Sequence, residues 1–331
     1  MHSSRPTRRD VLRVAAAGAA AAAVPFVHAQ SSAWPAKPVQ IIVPFPAGGG
    51  TDAFARPLSA QFAEQTKQQL VIDNKGGAGG TVGATLAARA APDGYNFFMG
   101  AVHHTIAPSI YPKLDYDLQK DLVPISLVAR VPQVIVVNPT RIPAKDFKEF
   151  LAMVKANPGK YNYASAGNGT SHHLAGELFK LQTRTFITHI PYRGAGPALQ
   201  DLITGSADLM FDGLGSSAAH IKGGRIKALM VAGSARNPAL PDVPCAAEMG
   251  LPDYTVTTWY GVWAPKGTPA DVQQRMAEEI RKAIQSERLK GVWAAQGAEF
   301  PNLSQQQFAG FIDSEIKRWA TVVKASNVKA D

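Results

Sequence analysis

Three glycine-rich segments are the parts of this sequence best suited to bind a ligand, because they lie where short apolar runs lead into helix-like segments. They are residues 44–52, 76–83 and 165–171. Glycine allows ligand atoms to approach backbone N–H groups, and a helix N-terminus attracts negative charge. A carboxylate, a phosphate or a sulfate is therefore the expected guest. One such segment could equally be a tight connection, but three together favour a shared anion site.

The glycine segments lack the patterns of nucleotide sites. The first has no Gly-Lys-Ser/Thr, which a P-loop uses to hold phosphates and Mg²⁺. In the second, Gly77 and Gly79 match the first two glycines of the dinucleotide fingerprint, but Val82 stands at the third position and Gly83 follows one residue late. We therefore expect no cofactor.

Two adjacent histidine pairs raise the question of a metal site. The pairs are His103-His104 and His172-His173. Neighbouring side chains diverge on a regular helix or strand, and neither a cysteine cluster nor an HExxH pattern accompanies them. We expect no metal site.

A periplasmic hydrolase acting on a small carboxylate ester or amide is the alternative function. Its nucleophile would be Ser165 or Ser216, assisted by a histidine and an aspartate that folding brings near. Residues 213–217 lack the closing glycine of a nucleophile elbow. A triad assembled only by folding leaves no sequence pattern, so the alternative stays open, but we expect a protein that is not an enzyme.

Short apolar runs alternate with helix-like segments along the chain, which predicts an α/β fold with largely parallel sheets. Strands are predicted at residues 39–43, 70–72, 96–99, 134–137, 207–211 and 226–232. Six helices are predicted before the last one. They run from about residue 51 to 66, from the end of the second glycine segment to residue 90, over 146–156, over 171–181, from residue 196 onward, and from 268 to about 285. Ser304 and Gln307 form a predicted capping box for a last helix that ends near residue 324.

Two crossings of the chain divide it into two predicted lobes. They lie near residues 131–137 and 255–264, so lobe 1 comprises residues 34–132 plus 256–331 and lobe 2 is the inserted segment 133–255. Two crossings make a hinge around a cleft. The sequence thus predicts capture of a ligand by hinge closure.

The N-terminus has the pattern of an export signal, predicted to span residues 1–29. Arg8-Arg9 precede an apolar, alanine-rich stretch that ends in small residues near Ala29. The paired arginines indicate the Tat pathway and therefore a periplasmic protein. The alternative is a membrane anchor, but the apolar core has about half of the roughly 20 residues that a spanning helix needs.

The charge and the cysteine content exclude further classes. The full chain has a net charge of +9, and residues 1–29 carry four arginines and one aspartate, so the mature chain has +6. Its basic residues are scattered, without the basic run or helix of a nucleic-acid binder. Cys245 is alone, so an intramolecular disulfide is impossible and stability must come from burial.

Five segments resemble the substrate-binding receptors of tripartite tricarboxylate transporters, also called Bug receptors. The segments read PFPAGGGTDAFAR, GGAGGTVGA, YASAGNGTSHHLAGELFK, HIPYRGAGPALQDLITGSADLMFD and ALPDVPCAAEMGLPDY. The resemblance runs from about Trp34 to the C-terminus. It implies a two-lobed periplasmic-binding-protein fold of the Venus-flytrap type, type II-like, with discontinuous domains and a hinge.

The resemblance also implies a ligand and partners. The ligand would be a small carboxylate: a di- or tricarboxylate, an acidic amino acid or an aromatic acid. The receptor would deliver it to a two-subunit membrane permease or act as a sensor, and we expect a monomer.

Motif position places ligand-binding residues in both lobes. These are Phe45, Gly49, Gly50, Thr51, Asp52, Gly79 and Gly80 in the first lobe, and Ser165, Asn168, Thr170 and Asp212 in the second. His103 is added because it departs from the family's usual small polar residues, although it and His104 could equally be packing residues. Asp212 could accept a hydrogen bond from the ligand or cap the next turn. Tyr192-Arg193 could form a clamp or an exposed turn.

Overall fold

The computed structural model describes residues 34–326 and residue 328. The predicted export signal therefore lies outside the described residues. The chain divides into Met1–Ala36, of which residues 34–36 are described and form no regular element, and the compact unit Lys37–Asp331. All elements named below belong to this second unit.

The strands of the described residues join into one nine-stranded sheet. They are β1 (Val39–Val43), β2 (Leu70–Asn74), β3 (Asn96–Ala101), β4 (Leu122–Val137), β5 (Asn162–Ser165), β6 (Thr188–Pro191), β7 (Leu209–Gly213), β8 (Lys227–Val231) and β9 (Thr257–Pro265). Their order is β2-β1-β3-β9-β4-β7-β5-β6, and β8 also pairs with β4.

Helices cover the sheet and connect its strands. They are α1 (Gly50–Thr66), α2 (Thr81–Ala88), α3 (His103–Ile110), α4 (Phe147–Ala156), α5 (Ser171–Thr183), α6 (Ala195–Thr204), α7 (Leu214–Lys222), α8 (Ala270–Gln285), α9 (Glu287–Ala294) and α10 (Gln305–Ser326). Short 3₁₀ turns occur at Ala78–Gly80 and Ala247–Met249. Among the described residues, no helix has both the length and the apolar composition needed to cross a bilayer.

Strand β4 belongs to both halves of the sheet. Its first part pairs antiparallel with β9, and its last five residues pair antiparallel with β7, while β8 pairs with the same part. We call the part that carries β1–β3 the first lobe and the part that carries β5–β8 the second lobe. Arg130, Val131 and Pro132 lie opposite Trp259, Thr258 and Thr257, so the two predicted crossings run side by side.

The α/β prediction is confirmed, and the strand directions refine it. Strands joined by helical crossovers are parallel, as β1 is to β2 and β3, and as β5 is to β6 and β7. Each antiparallel pair includes at least one of the two long strands, β4 or β9. The prediction of largely parallel sheets is therefore wrong, because the named strands form four parallel and four antiparallel pairs.

The core beneath the crossing is rich in aromatic residues. Trp259 and Trp263 of β9 are fully buried and lie against Phe308 of α10. The Nε1 atoms of Trp259 and Trp319 donate to the buried carboxylate of Glu315, at 2.8 and 3.1 Å. These bonds satisfy polar groups that burial would otherwise penalise, so α10 is held firmly against the crossing strands.

Candidate functional site

The first glycine segment forms an anion-accepting loop. It leads from β1 into α1, and no side chain caps the N-terminus of this helix at Gly49. The first N–H groups of an α-helix have no partner within the helix, so those of Gly50 and Thr51 can bind an anion. Asp52 lies in the same turn, but its carboxylate accepts from the Gly48 N–H at 3.0 Å and pairs with Arg56 at 2.7 Å. Asp52 therefore holds the loop in shape.

Two cavities lie between the lobes and share part of their walls. The inner cavity has a volume of about 10 Å³ and is lined by Phe45, Gly49, Gly50, Thr51, His103, Ala166, His172, Ala195 and Tyr260. The outer cavity has a volume of about 300 Å³ and is lined by Phe45, Gly77, Ala78, Gly79, Tyr111, Ala166, Gly167, Asn168, Pro191, Tyr192 and Arg193. Because Phe45 and Ala166 line both, the cavities are neighbours.

Three helix N-termini from the two lobes meet at the inner cavity. Gly50 begins α1, Ala195 begins α6, and His172 is the second residue of α5; all three line it. In none of these helices does the side chain of the N-cap residue cap the first turn, although the Ser171 N–H of α5 donates to His103. Each N-terminus carries roughly half a positive charge, so the cavity favours an anion although no lysine or arginine lines it.

The cleft is closed in this structure. The Tyr111 hydroxyl of the first lobe donates to the Asn168 carbonyl of the second at 3.0 Å. The Ser171 N–H donates to Nδ1 of His103 at 3.1 Å, also across the cleft. Gly196 lies so close to the Ala47 carbonyl that a Cβ atom there would stand 2.5 Å from its oxygen.

A buried polar cluster lies at the base of the inner cavity. Oδ2 of Asp212 accepts from Ser216 at 2.7 Å and from Ser217, while Oδ1 faces Nδ1 of His172 at 3.7 Å. That distance is too long for a hydrogen bond, and both atoms lack a partner among the described residues. The rings of His172 and His103 meet edge to face, with centroids 5.7 Å apart.

Burial sets the protonation of this cluster. It lowers the pKa of His172 to about 4, and it lowers the pKa of His103 well below its usual range, with smaller effects from His172 and His104. Burial raises the pKa of Asp212 to about 6, although the hydroxyls of Ser217 and Ser216 act in the opposite direction. Near pH 7 the histidines are therefore neutral and Asp212 is charged.

The structure brings many of the predicted site residues to the cavities. Those that line them are Phe45, Gly49, Gly50, Thr51, His103, Gly79 and Asn168. Five others shape the walls from behind: Asp52, Gly80, Ser165, Thr170 and Asp212. Thr170 donates to the Gly167 carbonyl at 2.7 Å, and Gly80 packs against the rings of Phe45 and His104. Their part in binding stays a prediction.

Several lining residues were not among the predicted ones. Tyr260 comes from β9, far along the chain, and only the sheet order brings it beside α1. His172 was considered only as half of a metal-binding pair. Arg193 is exposed, lines the outer cavity and has no ion pair among the described residues. No local pattern marks His172, because its place at the cavity depends on how the fold brings the two lobes together.

The geometry offers little to the metal and hydrolase alternatives. Within residues 34–326 and 328, no three His, Cys, Asp or Glu side chains are grouped to hold a metal ion. Ser165 Oγ is bonded to His189 Nε2 at 2.7 Å, but Ser165 is fully buried and also accepts from the Gly167 N–H. Ser216 is likewise buried and donates to Asp212.

A larger cavity among the described residues lies elsewhere. It has a volume of about 770 Å³ and lies between α8, β4 and residues 300–307. No glycine segment reaches it, and its cations Arg281 and Lys290 lie within 4 Å of Glu278 and Glu287. The inter-lobe cavities are therefore the better candidate site.

Comparisons with known proteins agree with this fold. Residues 54–328 match the tripartite tricarboxylate transporter family receptor. Protein BugT of Bordetella pertussis is 38% identical over 298 residues, which cover 89% of this chain and 91% of BugT. The periplasmic binding protein BugD is 34% identical, with a TM-score of 0.86, over 90% of this chain and 100% of BugD.

Two similar structures from Rhodopseudomonas palustris contain carboxylates. MatC, with bound malate, is 34% identical with a TM-score of 0.82, over 88% of this chain and 100% of MatC. A second protein, with adipate, is 32% identical with a TM-score of 0.84, over 89% of this chain and 99% of its own. The two-lobed periplasmic-binding-protein fold is thereby confirmed, and the chain belongs to the tripartite tricarboxylate transporter receptor family, as its five motifs indicated.

Proposed function

We propose that this protein is a periplasmic solute-binding receptor that captures a small carboxylate between its lobes by hinge closure. The observation that carries the proposal is the meeting of three helix N-termini, one from the first lobe and two from the second, at one buried cavity. An anion at that point contacts both lobes at once. It therefore binds the closed state more tightly than the open state and shifts the population toward closure.

The ligand enters an open cleft, and closure then encloses it. The inner cavity, at about 10 Å³, has room for about one water. A carboxylate therefore requires Phe45 and Ala166 to separate, which joins the inner and outer cavities. The remainder of the ligand then occupies the outer cavity, whose 300 Å³ suits a short carbon chain or a single ring.

The outer cavity supports a ligand with a second acidic group. The exposed residue Arg193 lies on its wall, next to Tyr192 in the chain. Similar proteins are known with malate and adipate, which carry two carboxylates separated by different chain lengths. We infer a dicarboxylate first, with acidic amino acids, tricarboxylates and aromatic acids as the other members of the class.

The protein would be exported to the periplasm and would deliver its ligand there. The first lobe would comprise residues 34–132 plus 256–331, and the second lobe residues 133–255. With both lobes closed on the ligand, the protein would present it to a two-subunit permease or act as a sensor. Export through the Tat pathway rests on Arg8-Arg9. The protein would act as a monomer and would not be an enzyme. The hydrolase alternative is not favoured, because Ser165 and Ser216 are both buried and hydrogen-bonded.

A thermal-shift and calorimetry panel tests the proposal. The purified protein is mixed with malate, adipate, citrate, glutamate and benzoate, and with the diamides of malic and adipic acid as uncharged controls. We expect at least one acid to raise Tm and bind with a micromolar Kd, without being consumed, and the diamides to have no effect. No shift with any acid would contradict the receptor function, and steady consumption of an acid would favour the hydrolase.

A further inference from the structure

His172 lies between a buried carboxylate and the place where the ligand's carboxylate would bind. Its Nδ1 faces Oδ1 of Asp212 at 3.7 Å, and its ring lines the inner cavity. Neither Nδ1 of His172 nor Oδ1 of Asp212 has a partner among the described residues, and both residues are more than nine-tenths buried. Two buried polar atoms without hydrogen bonds are unfavourable unless another group forms hydrogen bonds with them.

His103, the other histidine of the inner cavity, is fixed in one neutral form. Its Nδ1 accepts the Ser171 N–H at 3.1 Å, so Nδ1 carries no proton. The ring's proton is therefore on Nε2, where it can be donated to a ligand. A second proton on Nδ1 would face the Ser171 N–H, so His103 resists protonation.

The charges of the closed site require compensation when an acid binds. Asp212 carries a buried negative charge near pH 7, and the ligand's carboxylate adds a second one on the other side of His172. Like charges at short range in a poorly solvated site repel strongly. One proton on His172 removes the conflict, because Nδ1–H can then donate to Asp212 and Nε2–H to the ligand.

We propose that His172 takes up one proton when a carboxylate binds, so that Asp212, protonated His172 and the ligand form a charge-alternating chain, with His103 as a neutral donor beside it. The inference rests on the proposed function, since it describes how that same site holds its acid. It assigns His172 as a ligand-binding residue and Asp212 as the residue that positions and charges it.

Other titratable groups near His172 do not offer a better site for this proton. On α3, Nδ1 of His104 is bonded to the Ala101 backbone at 3.0 Å. On α5, Nδ1 of His173 accepts the Gly169 N–H at 3.2 Å. On β9, burial raises the pKa of the Tyr260 hydroxyl far above neutrality, so it keeps its proton.

The helices that flank the pair contribute no free charge. On α1, the carboxylate of Asp52 pairs with Arg56 at 2.7 Å. On α7, Ser216 and Ser217 are hydroxyls that donate to Asp212. The proton therefore lies on His172, between the carboxylate of Asp212 and the carboxylate of the ligand.

The sign of the pH dependence follows from this arrangement. Above about pH 6, where Asp212 is ionised in the free protein, binding takes up a proton and Kd rises by up to tenfold per pH unit. Below that pH, Asp212 already holds a proton, which moves to His172 on binding, so net uptake by the protein declines. The effect on affinity is therefore steepest on the alkaline side of pH 6.

Calorimetry in buffers of different ionisation heat measures the proton directly. The probes are malate, adipate, glutamate and benzoate, each tested between pH 6.5 and 8.5, where these acids are fully ionised. We expect an uptake close to one proton per acid bound at pH 7.5. In parallel, the ring-nitrogen NMR signals of His172 should show the doubly protonated form only when acid is present.

Three variants separate the roles. His172→Gln keeps a donor that cannot titrate, so uptake should disappear and Kd should become independent of pH. Asp212→Asn should also abolish uptake, because the imidazolium loses its counter-charge. His103→Gln is the matched control, which should weaken binding but retain uptake. Tm of each unliganded variant shows that it is folded.

The outcomes distinguish this inference from the function on which it rests. Binding of an acid by the natural protein without proton uptake, or uptake that persists in His172→Gln, would overturn the proton role and leave the receptor intact. If none of the four acids binds, both the receptor function and the proton role fail.

Discussion

Gly196 is the residue at which the closed state is most sensitive to a single added atom. It is the second residue of α6 in the second lobe, and the carbonyl of Ala47 in the first lobe lies against it. A Cβ atom would stand 2.5 Å from that oxygen, which is closer than such atoms tolerate. Because the two groups belong to different lobes, opening the hinge relieves the clash.

Gly196→Ala should therefore impair closure more than folding. We expect Kd for the best acid of the panel to rise at least tenfold, or about 1.4 kcal/mol, while Tm without ligand stays near that of the natural protein. Gly291→Ala in α9 is the control, since a Cβ there meets nothing within 4 Å. Calorimetry gives Kd, and an unchanged Kd in Gly196→Ala would argue against the closed state as the binding state.

The sequence alone could identify the backbone part of the site but not its deepest side chains. Glycines before helices are visible as a pattern, which is why Gly49, Gly50 and Gly79 were predicted to bind ligand and do line the cavities. Tyr260 and His172 carry no local pattern of this kind. Their positions depend on sheet order and on contact between lobes, which the spacing of residues along the chain does not encode.

Among the elements, α10 has the most completely predictable start. Ser304 Oγ accepts the Gln307 N–H at 3.2 Å, and Gln307 Oε1 accepts the Ser304 N–H at 2.8 Å. The two bonds form the predicted capping box, which satisfies N–H groups that the helix leaves unpaired. The cap matters because α10 also carries Glu315 and Trp319, which hold the crossing strands.

Ser304→Ala should destabilise the fold without touching the ligand site. Loss of an N-cap of this type costs about 1 kcal/mol, so we expect the urea midpoint to fall with an unchanged slope. Ser314→Ala on the exposed face of the same helix should have a much smaller effect. An equal fall of the urea midpoint in both variants would mean that the capping box adds no more stability than an exposed serine in the helix.

Helices with an ordinary amphipathic pattern, such as α4 and α8, were predicted, whereas β6, α3, α7 and α9 were not, and β4 was predicted too short. Helix α3 has buried residues around most of its surface, so its sequence lacks a polar face, and Pro108 lies inside it. Strand β4 is much longer than its predicted stretch because Pro124 and Pro132 read as strand ends. The register shifts beside Pro124, which accommodates it.

At the scale of the whole molecule, buried histidines make stability depend on pH. His103, His104 and His172 are almost completely buried, and burial lowers the pKa of each below its ordinary 6.5, to about 4 for His104 and His172. The unfolded chain binds protons at these positions below pH 6.5, whereas the folded chain does not. Their contribution to stability is therefore fully present above pH 6.5 and is lost as the pH falls toward 4.

Asp212 acts in the opposite direction but over a narrower range. Its folded pKa is raised to about 6, so the folded chain binds one proton between about pH 6 and the ordinary value of 3.8 that the unfolded chain does not. That proton stabilises the folded state as the pH falls through 6. Burial also lowers the pKa of His189, to about 3, and that of His220. One stabilising proton therefore opposes at least four destabilising ones, so the histidines dominate.

The unliganded protein should therefore lose stability steadily from pH 7 to pH 5. Each net proton corresponds to about 1.4 kcal/mol per pH unit, so a balance of roughly three protons gives a loss of about 4 kcal/mol per pH unit near pH 5. Urea unfolding at fixed ionic strength, followed by tryptophan fluorescence, measures the slope. His104→Gln removes one titrating ring without touching the Asp212–His172 pair, and it should reduce the slope by about one proton. A stability that stays constant or rises between pH 7 and pH 5 would mean that these histidines are protonated in the folded state, and His172 would then carry its proton before any acid arrives.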